Sequence, residues 1–359
     1  MLLAAAAFLP ALESKGFVHA GVGWMTLVIT LWIAGRGPGS ARGLVWFLVG
    51  LGCFEAAYGF VQAIGGVDYI GSHFRNLGPV ATGTLIHYNH YAGLLNMVFA
   101  LSVGVALGGR SRARRGRAAV GEHGARTWLL ILGCASMGLA VILSRSRGGT
   151  VTLVATTVFL AAMLALRGWN DREMRGATRA GGILLLTVAG LGLAFGVDAV
   201  LARFANVGTD HRTVIFKDTL RMIADHPMGI GPGLYQWRIL SYETLGSTDH
   251  YGHAHNDYLE VTAEWGILVA LLFWGMVGWR FYRVTTGFLA ASEPWTRGLC
   301  LGCAGAILTI LLHSLVDFNL YIPANLMVFA MVLGLSWSAT AGIRARRRRG
   351  TVHPIGLRT

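Results

Sequence analysis

Long apolar runs are the feature of this sequence that most constrains its fold. Nine runs have the length of about 17–25 residues that crosses a bilayer as a helix. In lipid, a spanning segment must satisfy its own backbone hydrogen bonds, so these runs predict helices. They cover residues 17–35, 43–64, 88–109, 127–144, 150–166, 181–200, 258–282, 298–316 and 322–342. The sequence therefore predicts an all-α polytopic membrane protein with about nine transmembrane helices.

Composition agrees with a membrane protein. Only 13% of the 359 residues are charged, against about 25% in soluble domains. The net charge of +13 comes from arginine clusters next to apolar runs, so we expect membrane lipids and no nucleic acid as partners. All the cysteines lie inside predicted spans, where a free thiol packs as a small apolar group. They are Cys53, Cys134, Cys300 and Cys303.

The arginine clusters also predict an orientation. Those within 110–126, 167–179, 280–297 and 344–349 fall on one side of the nine predicted spans, which the positive-inside rule assigns to the cytoplasm. The chain is thus predicted to be a single membrane domain, 1–359, with one folded loop inserted on the opposite side at 201–257. Within that loop we expect a helix from His211 to Asp225 and a shorter one near Tyr235.

A dense polar motif joins the loop to the next apolar run. His253 and His255 stand just before Asp257-x-x-Glu260, which has the form of a capping box and predicts a helix beginning at Asn256 or Asp257. A helix N-terminus disfavours protonated imidazole and attracts anions, and a neutral imidazole can act as a general base. The alternative is a polar helix cap with solvated histidines. The polar side chains that follow the histidines are Asn256, Glu260 and Glu264.

Two arginines face the predicted outer side against the positive-inside bias. Arg145 and Arg147 lie in a Ser-Arg-Ser-Arg-Gly-Gly segment, and guanidinium forks suit phosphate or carboxylate ligands. A tight turn paired with an acidic neighbour is the alternative for both. Arg212, in the inserted loop, is a further candidate anion ligand, for which a solvated surface charge is the alternative.

Polar residues also occur at the outer ends of two other predicted spans. Asn89 and His90 begin one span, and His313 and Asp317 end another. Polar groups at membrane depth need partners, so these residues either support the structure or contact a substrate in a shared cavity. No carboxylate cluster suited to Mg²⁺ or Ca²⁺ appears in the outer segments. We therefore expect no metal and no other cofactor.

Taken together, the motifs resemble the O-antigen ligase and polymerase superfamily of membrane glycosyltransferases. The resemblance implies a bacterial inner (plasma) membrane protein with a periplasmic site. There a glycan would pass from a polyprenyl-diphosphate donor (undecaprenyl diphosphate) to a hydroxyl of lipid A-core, another glycan or a protein. The resemblance covers the chain from about residue 43 to 342. The segments that match are 83–93, 144–149, 212–233, 253–266 and 313–318.

The resemblance also suggests roles for individual residues. Transfer would need no metal and would invert the anomeric centre, with His255 as the base and His253 as the second choice. Outer-face arginines would neutralise the diphosphate leaving group. These are Arg147, Arg212 and Arg145, and the supporting residues are Asn256, Glu260, Glu264, Asn89, His90, His313 and Asp317.

Two further expectations concern completeness and the alternative function. Family members usually have more spans, with both termini in the cytoplasm, so we expect N-terminal spans, and with them part of the lipid-binding groove, to be missing here. A transporter or exporter of an anionic or glycan substrate is the competing function. It would need polar residues that continue to the cytoplasmic side, whereas the polar residues cluster in the outer half, with Glu55 and Gln62 as exceptions. This distribution favours an enzyme.

Overall fold

The structure is a computed structural model that describes residues 15–36, 38–108, 117–170, 211–244 and 250–350, together with residues 182, 183, 187 and 190. Over these residues the chain is almost entirely helical, as predicted. The helices are α1 (Lys15–Gly35), α2 (Pro38–Gly65), α3 (Tyr88–Gly108), α4 (Arg117–Leu143), α5 (Arg147–Asn170), α6 (His211–Asp225), α7 (Tyr235–Arg238), α8 (Asp257–Trp265), α9 (Ile267–Ala290), α10 (Pro294–His313) and α11 (Pro323–Gly350).

Five of the described helices are long and apolar enough to cross a membrane. Two more apolar stretches, Ala20–Gly35 in α1 and Leu129–Leu143 in α4, are shorter. The membrane-helical fold class is thereby confirmed, while the count of nine spans is not. The predicted span 181–200 lies almost wholly outside the described residues. The five spanning segments are Ser40–Gly65, Arg147–Gly168, Ile267–Ala290, Pro294–His313 and Pro323–Ala341.

One predicted span, 258–282, is wrong in its bounds. The chain is helical there but breaks at Gly266, so that the short polar helix α8 precedes the apolar helix α9. Gly266 has φ +82°, a backbone conformation that residues other than glycine rarely adopt. A Cβ at this position would also lie 2.6 Å from the carbonyl carbon of Met228. Hydropathy could not show this break because glycine is compatible with apolar membrane helices.

The core of the bundle is built around α3. Its residues Leu95, Met97 and Phe99 are completely buried. Helix α10 approaches α3 closely enough that a Cβ on Gly104 would lie 2.3 Å from the backbone oxygen of Gly298. Small residues permit this approach, which is the usual way in which helices pack in membranes. Helix α3 therefore holds α10 in a fixed register, and with it the residues that follow α10.

Polar ends of several helices meet at one end of this bundle. Helices α3 and α5 begin there, since the Ser146 hydroxyl donates a 2.7 Å hydrogen bond to Asn89 Oδ1. A two-stranded hairpin, β1 (Tyr69–Ile70) and β2 (His73–Phe74), precedes α3. The polar exceptions in α2 also point to this end, because Glu55 and Gln62 hydrogen-bond to the segment 82–84 that leads to α3.

Of the predicted insertion at 201–257, residues 201–210 and 245–249 lie outside the described part of the chain, and the rest contains the two helices that the sequence predicts. Helix α6 covers His211–Asp225, and α7 is followed by a 3₁₀ turn at Ile239–Ser241. The segment has a small core of its own, which includes Met222, Tyr235 and Ile239. Its last residues run directly into α8, so the insertion and the helix bundle are joined at the histidine motif.

Candidate active site

A buried carboxylate lies at the centre of the polar end. Asp317, in the loop after α10, has a side chain that is 1% exposed; its Oδ2 lies 3.3 Å from His90 Nδ1 and its Oδ1 lies 3.9 Å from His255 Nδ1. Burial alone would raise the pKa of Asp317, but the facing imidazoles, above all those of His255 and His90, hold the pKa well below its usual range. Asp317 is therefore an anion near neutral pH.

The next residue, Phe318, is surrounded by histidines. The His253 ring stacks on it, with centroids 4.0 Å apart and planes 10° apart. The rings of His90 and His255 meet it edge-on at 4.7 and 5.0 Å. Stacked and edge-on arrangements are favourable for aromatic rings. Phe318 thus fixes the positions of three imidazoles that come from two separate segments of the chain.

The backbone at His255 has an unusual conformation. Its φ is +50°, in the left-handed region that non-glycine residues seldom occupy. The following residue, Asn256, holds the chain there, because its Oδ1 accepts from Leu259 N–H at 3.1 Å and its Nδ2 donates to the Leu315 carbonyl at 3.1 Å. The His255 side chain keeps 33% of its surface exposed, so its ring can meet a substrate.

The helix start was predicted correctly, but the predicted capping box is wrong. Asn256, not Asp257, is the N-cap residue of α8. The Asp257 carboxylate instead accepts from the Ser314 hydroxyl at 2.6 Å and from Leu320 N–H at 3.1 Å, which ties α8 to the loop after α10. Asn256 competes successfully for the cap because its short amide reaches the first turn from an extended backbone.

The Glu260 side chain, freed from capping, pairs with His253. Its Oε1 lies 2.6 Å from His253 Nδ1, and its Oε2 accepts from Ala254 N–H at 2.8 Å. Burial raises the pKa of Glu260 well above its usual value, and burial also lowers the pKa of His253. Both shifts favour neutral groups, so this pair differs in charge from the pair of His255 and Asp317.

Glu264 follows Glu260 by one helical turn and is close enough to His253 to act on the pKa of that imidazole. Its Oε2 accepts from the Tyr321 hydroxyl at 2.9 Å and its Oε1 from Tyr235 N–H at 3.2 Å, so it joins the insertion to the segment after α10. Burial, together with the neighbouring carboxyl group of Glu260, raises the pKa of Glu264 to about 7. Its contacts are those of a structural residue.

The two arginines that flank Ser146 differ in burial. The Nη1 of Arg147 is buried and has no hydrogen-bond partner among the described residues. Gly148 lies beside the completely buried His313, since a Cβ there would be 3.2 Å from His313 Nε2. Arg145 is exposed, with φ +55°. A buried guanidinium nitrogen that lacks an acceptor is suited to bind an anion.

Arg212 reaches the same cluster from helix α6. Burial lowers the pKa of His87 to about 4; the nearby imidazoles of His90 and His255 and the guanidinium of Arg212 also lower it, while Asp317 raises it. The charge of Arg212 is therefore close enough to act on this site. The His87 ring also lies 5.0 Å from the His90 ring, at the entrance to α3.

An apolar cavity of about 390 Å³ opens beside the histidines, between α1, α9 and α11. Of its lining residues, all within the described part of the chain, only Glu264 is charged. Tyr321 also lines it, and the Tyr321 ring lies 5.8 Å from the His253 ring. The polar cluster and a space for an apolar chain are thus neighbours.

The structure brings most of the predicted site residues together. His90, His253, His255, His313 and Asp317 share one cluster. Asn89 and Arg147 lie in the first turns of the two helices that begin at this end, and Arg145 is exposed. Phe318, Ser146 and His87 belong to the cluster but were not predicted as site residues. Their sequence signal was that each lies in a segment that resembles the superfamily, within two positions of a predicted site residue. In the described part of the chain, no group of three or more His, Cys, Asp or Glu is arranged to hold a metal ion.

Residues 132–274 match a protein-family model described as O-antigen ligase. The superfamily that the motifs resemble is thereby confirmed, and the match supports a glycosyltransferase-type membrane enzyme. No curated protein is similar enough in sequence to be matched to the chain.

The O-antigen ligase match covers only part of the cluster. It includes Arg147, His253, His255 and Glu260 but ends before His313 and Asp317 and begins after His90. The carboxylate that faces His255 is therefore assigned to the site by its contacts in the folded chain.

Proposed function

We propose that this protein is an O-antigen ligase-type glycosyltransferase that moves a glycan from undecaprenyl diphosphate to an acceptor hydroxyl of lipid A-core, another glycan or a protein. The reaction would take place at the periplasmic face of a bacterial inner membrane, without a metal ion and with inversion. The family match supports the reaction class. The observation that carries the mechanism is that His255 faces the buried carboxylate of Asp317. A buried Arg147 nitrogen that lacks an acceptor among the described residues lies on the helix that begins at the same end of the bundle.

The pair of His255 and Asp317 provides the base. An anionic carboxylate accepts a hydrogen bond from Nδ1–H and thereby leaves the lone pair of Nε2 free to take a proton. The 3.9 Å separation is longer than a hydrogen bond, as is common before a substrate binds and tightens the site. The left-handed backbone of His255 and the edge of Phe318 hold the ring in place.

The pair of His253 and Glu260 has the opposite polarity. A protonated Glu260 donates to His253 Nδ1 across the 2.6 Å contact, and the neutral imidazole then carries its own proton on Nε2. His253 cannot accept a proton at that atom, but it can donate a hydrogen bond to a sugar oxygen or to the diphosphate. His255 is therefore the base and His253 a donor.

The transfer step follows from these roles. The acceptor hydroxyl gives its proton to His255 Nε2 as its oxygen forms a bond to the anomeric carbon of the donor glycan. The bond from that carbon to the diphosphate oxygen breaks, and the electron pair leaves with undecaprenyl diphosphate. Arg147, with Arg212 nearby, offsets the negative charge that develops on the leaving group. Attack from the face opposite to the leaving group inverts the anomeric centre.

The apolar cavity completes the proposed donor site. It lies next to Tyr321, within one ring contact of His253, and its walls are almost entirely apolar. We assign to it the end of the isoprenoid chain nearest the diphosphate, because burial of apolar surface stabilises such a chain at about 25 cal/mol per Å². The polar head of the donor would then lie among the histidines and arginines.

The direct test is glycan transfer in vesicles that contain the purified protein, an undecaprenyl-diphosphate-linked glycan and lipid A-core. His255→Ala should reduce the rate by about 10²–10⁴-fold, the usual contribution of a general base. His250→Ala is the matched control, because His250 is in the same insertion but 71% exposed and paired with Glu243. An unchanged rate when His253 and His255 are both alanine would contradict the mechanism.

The acceptor can be assigned in cells. Lipopolysaccharide gels of a deletion strain separate two outcomes: complete loss of long glycans from lipid A-core indicates a ligase, and single attached repeats indicate a polymerase. Unchanged lipopolysaccharide with loss of glycan from a secreted protein would indicate transfer to a protein hydroxyl.

A further inference from the structure

We propose that the turn at residues 227–229 of the insertion is embedded in the membrane, with the Met228 side chain among lipid acyl chains. Met228 is 84% exposed, the highest exposure of any large apolar side chain in the described part of the chain. The inference does not depend on the proposed function, because it concerns how the insertion is seated and not what the histidines do.

The turn is fixed to the start of a membrane-spanning helix. Ile267, the first residue of α9, donates its N–H to the Pro227 carbonyl at 3.0 Å. A Cβ on Gly229 would lie 2.5 Å from the Glu264 carbonyl oxygen, so the two backbones are in direct contact. The turn therefore cannot lie far above the level at which α9 enters the membrane.

The surface beside the turn faces lipid. Helix α9 is a spanning segment whose side chains are largely unburied by the protein, and Leu268, Leu271 and Leu272 are each 66% exposed. The Met228 backbone contacts Gly266, the residue before α9, so its exposed side chain extends this apolar surface. At the other end of the same loop, Pro232 lines the apolar cavity together with α9 residues, which places it at membrane depth as well.

The loop also has the chemistry that lipid requires. From Pro227 to Leu234 the sequence has no polar side chain, although the insertion around it is rich in charges. Backbone N–H groups must find partners when water is absent. Those of Gly229, Ile230, Gly231 and Leu234 donate to His226, Ala263, Glu264 and Gly231 carbonyls at 2.9–3.3 Å. An apolar loop in which most backbone donors are paired is stable in the interface, where apolar side chains are favoured.

A nitroxide attached to Met228→Cys, with Cys53 replaced by alanine, tests the proposal in vesicles of phosphatidylethanolamine and phosphatidylglycerol. Oxygen concentrates in lipid and a nickel chelate stays in water, so the ratio of their collision rates reports the surroundings of the label. We expect the oxygen rate to exceed the nickel rate at Met228→Cys, as at Leu268→Cys. At His250→Cys, the water-exposed reference, the ratio should be reversed.

Two results would overturn the proposal. If the label at residue 228 gives the ratio found at residue 250, the turn lies in water. If both collision rates are low and the spectrum shows dipolar broadening from a second label, the turn is covered by another copy of the chain instead of lipid. Since Met228 is exposed and makes its contacts through its backbone, we expect the cysteine variant to fold normally.

Discussion

Two histidine–carboxylate pairs lie on either side of Phe318, and they differ in the charge of the carboxylate. Asp317 faces the imidazoles of His90 and His255, at 3.3 and 3.9 Å, and its pKa is lowered. Glu260 faces one imidazole and one backbone N–H, and its pKa is raised.

The protonation state of the neighbouring carboxyl group therefore decides the function of each imidazole. A carboxylate anion turns the far nitrogen of the ring into a base, whereas a carboxylic acid turns it into a donor. Adjacent histidines of similar exposure, 38% for His253 and 33% for His255, can therefore have opposite roles. The number of imidazoles that face each carboxylate differs, two for Asp317 and one for Glu260.

The largest expected effect comes from Asp317→Asn. The amide can donate to His255 Nδ1 and would then favour the tautomer that carries its proton on Nε2, so the base is lost although the shape is kept. We expect transfer to fall by about 10²–10⁴-fold, as for loss of a general base. Transfer rates at matched protein levels, with thermal unfolding to check the fold, measure this. A rate within a few-fold of the wild type would remove Asp317 from the mechanism.

Arg147 should come next. Its buried Nη1 lacks an acceptor, and removal of one donor to a developing negative charge typically costs about 10²–10³-fold. Arg147→Lys should be nearly as damaging as Arg147→Ala, because an ammonium group cannot reproduce the guanidinium fork.

The matched control for Arg147 is its exposed neighbour, Arg145. Arg145→Lys and Arg145→Ala should both leave transfer close to normal. A full rate for Arg147→Lys would reduce that residue to a topological charge, since lysine and arginine orient a membrane protein equally.

A smaller effect is expected for Phe318→Leu, which touches both pairs at once. Leucine keeps the apolar volume but loses the ring contacts to His90, His253 and His255. Each aromatic contact is worth about 0.5–1.5 kcal/mol. If the transition state loses the positioning that one of these contacts supplies, the rate falls by up to about tenfold. The rate should depend on pH over a broader range, because freer imidazoles are less uniformly held. An unchanged rate and pH profile would show that the ring only fills space.

The fold class and most of the cluster could be predicted from the sequence, for different reasons. Apolar runs predict membrane helices because lipid leaves the backbone few alternatives. Polar residues such as Asn89 and Asp317 were recognisable because they stand at the ends of those runs. The break at Gly266 could not be predicted, since it arises from contact with Met228, which is distant in sequence.

The roles within the site depended on contacts between segments that are distant in sequence. No pattern pairs His255 with Asp317 or places Phe318 among three imidazoles, since these contacts form only when α10 packs on α3. The Asp257-x-x-Glu260 spacing predicted a capping role for Glu260. That prediction is wrong, because Asn256 caps the helix. Only the folded chain shows which carboxylate faces which histidine.

In this mechanism Glu260 is an acid and Asp317 is an anion. Replacing each carboxyl group with its amide distinguishes the two. Glutamine at residue 260 can donate to His253 Nδ1 and accept from Ala254 N–H, as protonated Glu260 does. In one assay of glycan transfer, Glu260→Gln should therefore retain a rate within a few-fold of the wild type, while Asp317→Asn loses about 10²–10⁴-fold. The reverse order, with Glu260→Gln inactive and Asp317→Asn active, would contradict the account and make His253 the base.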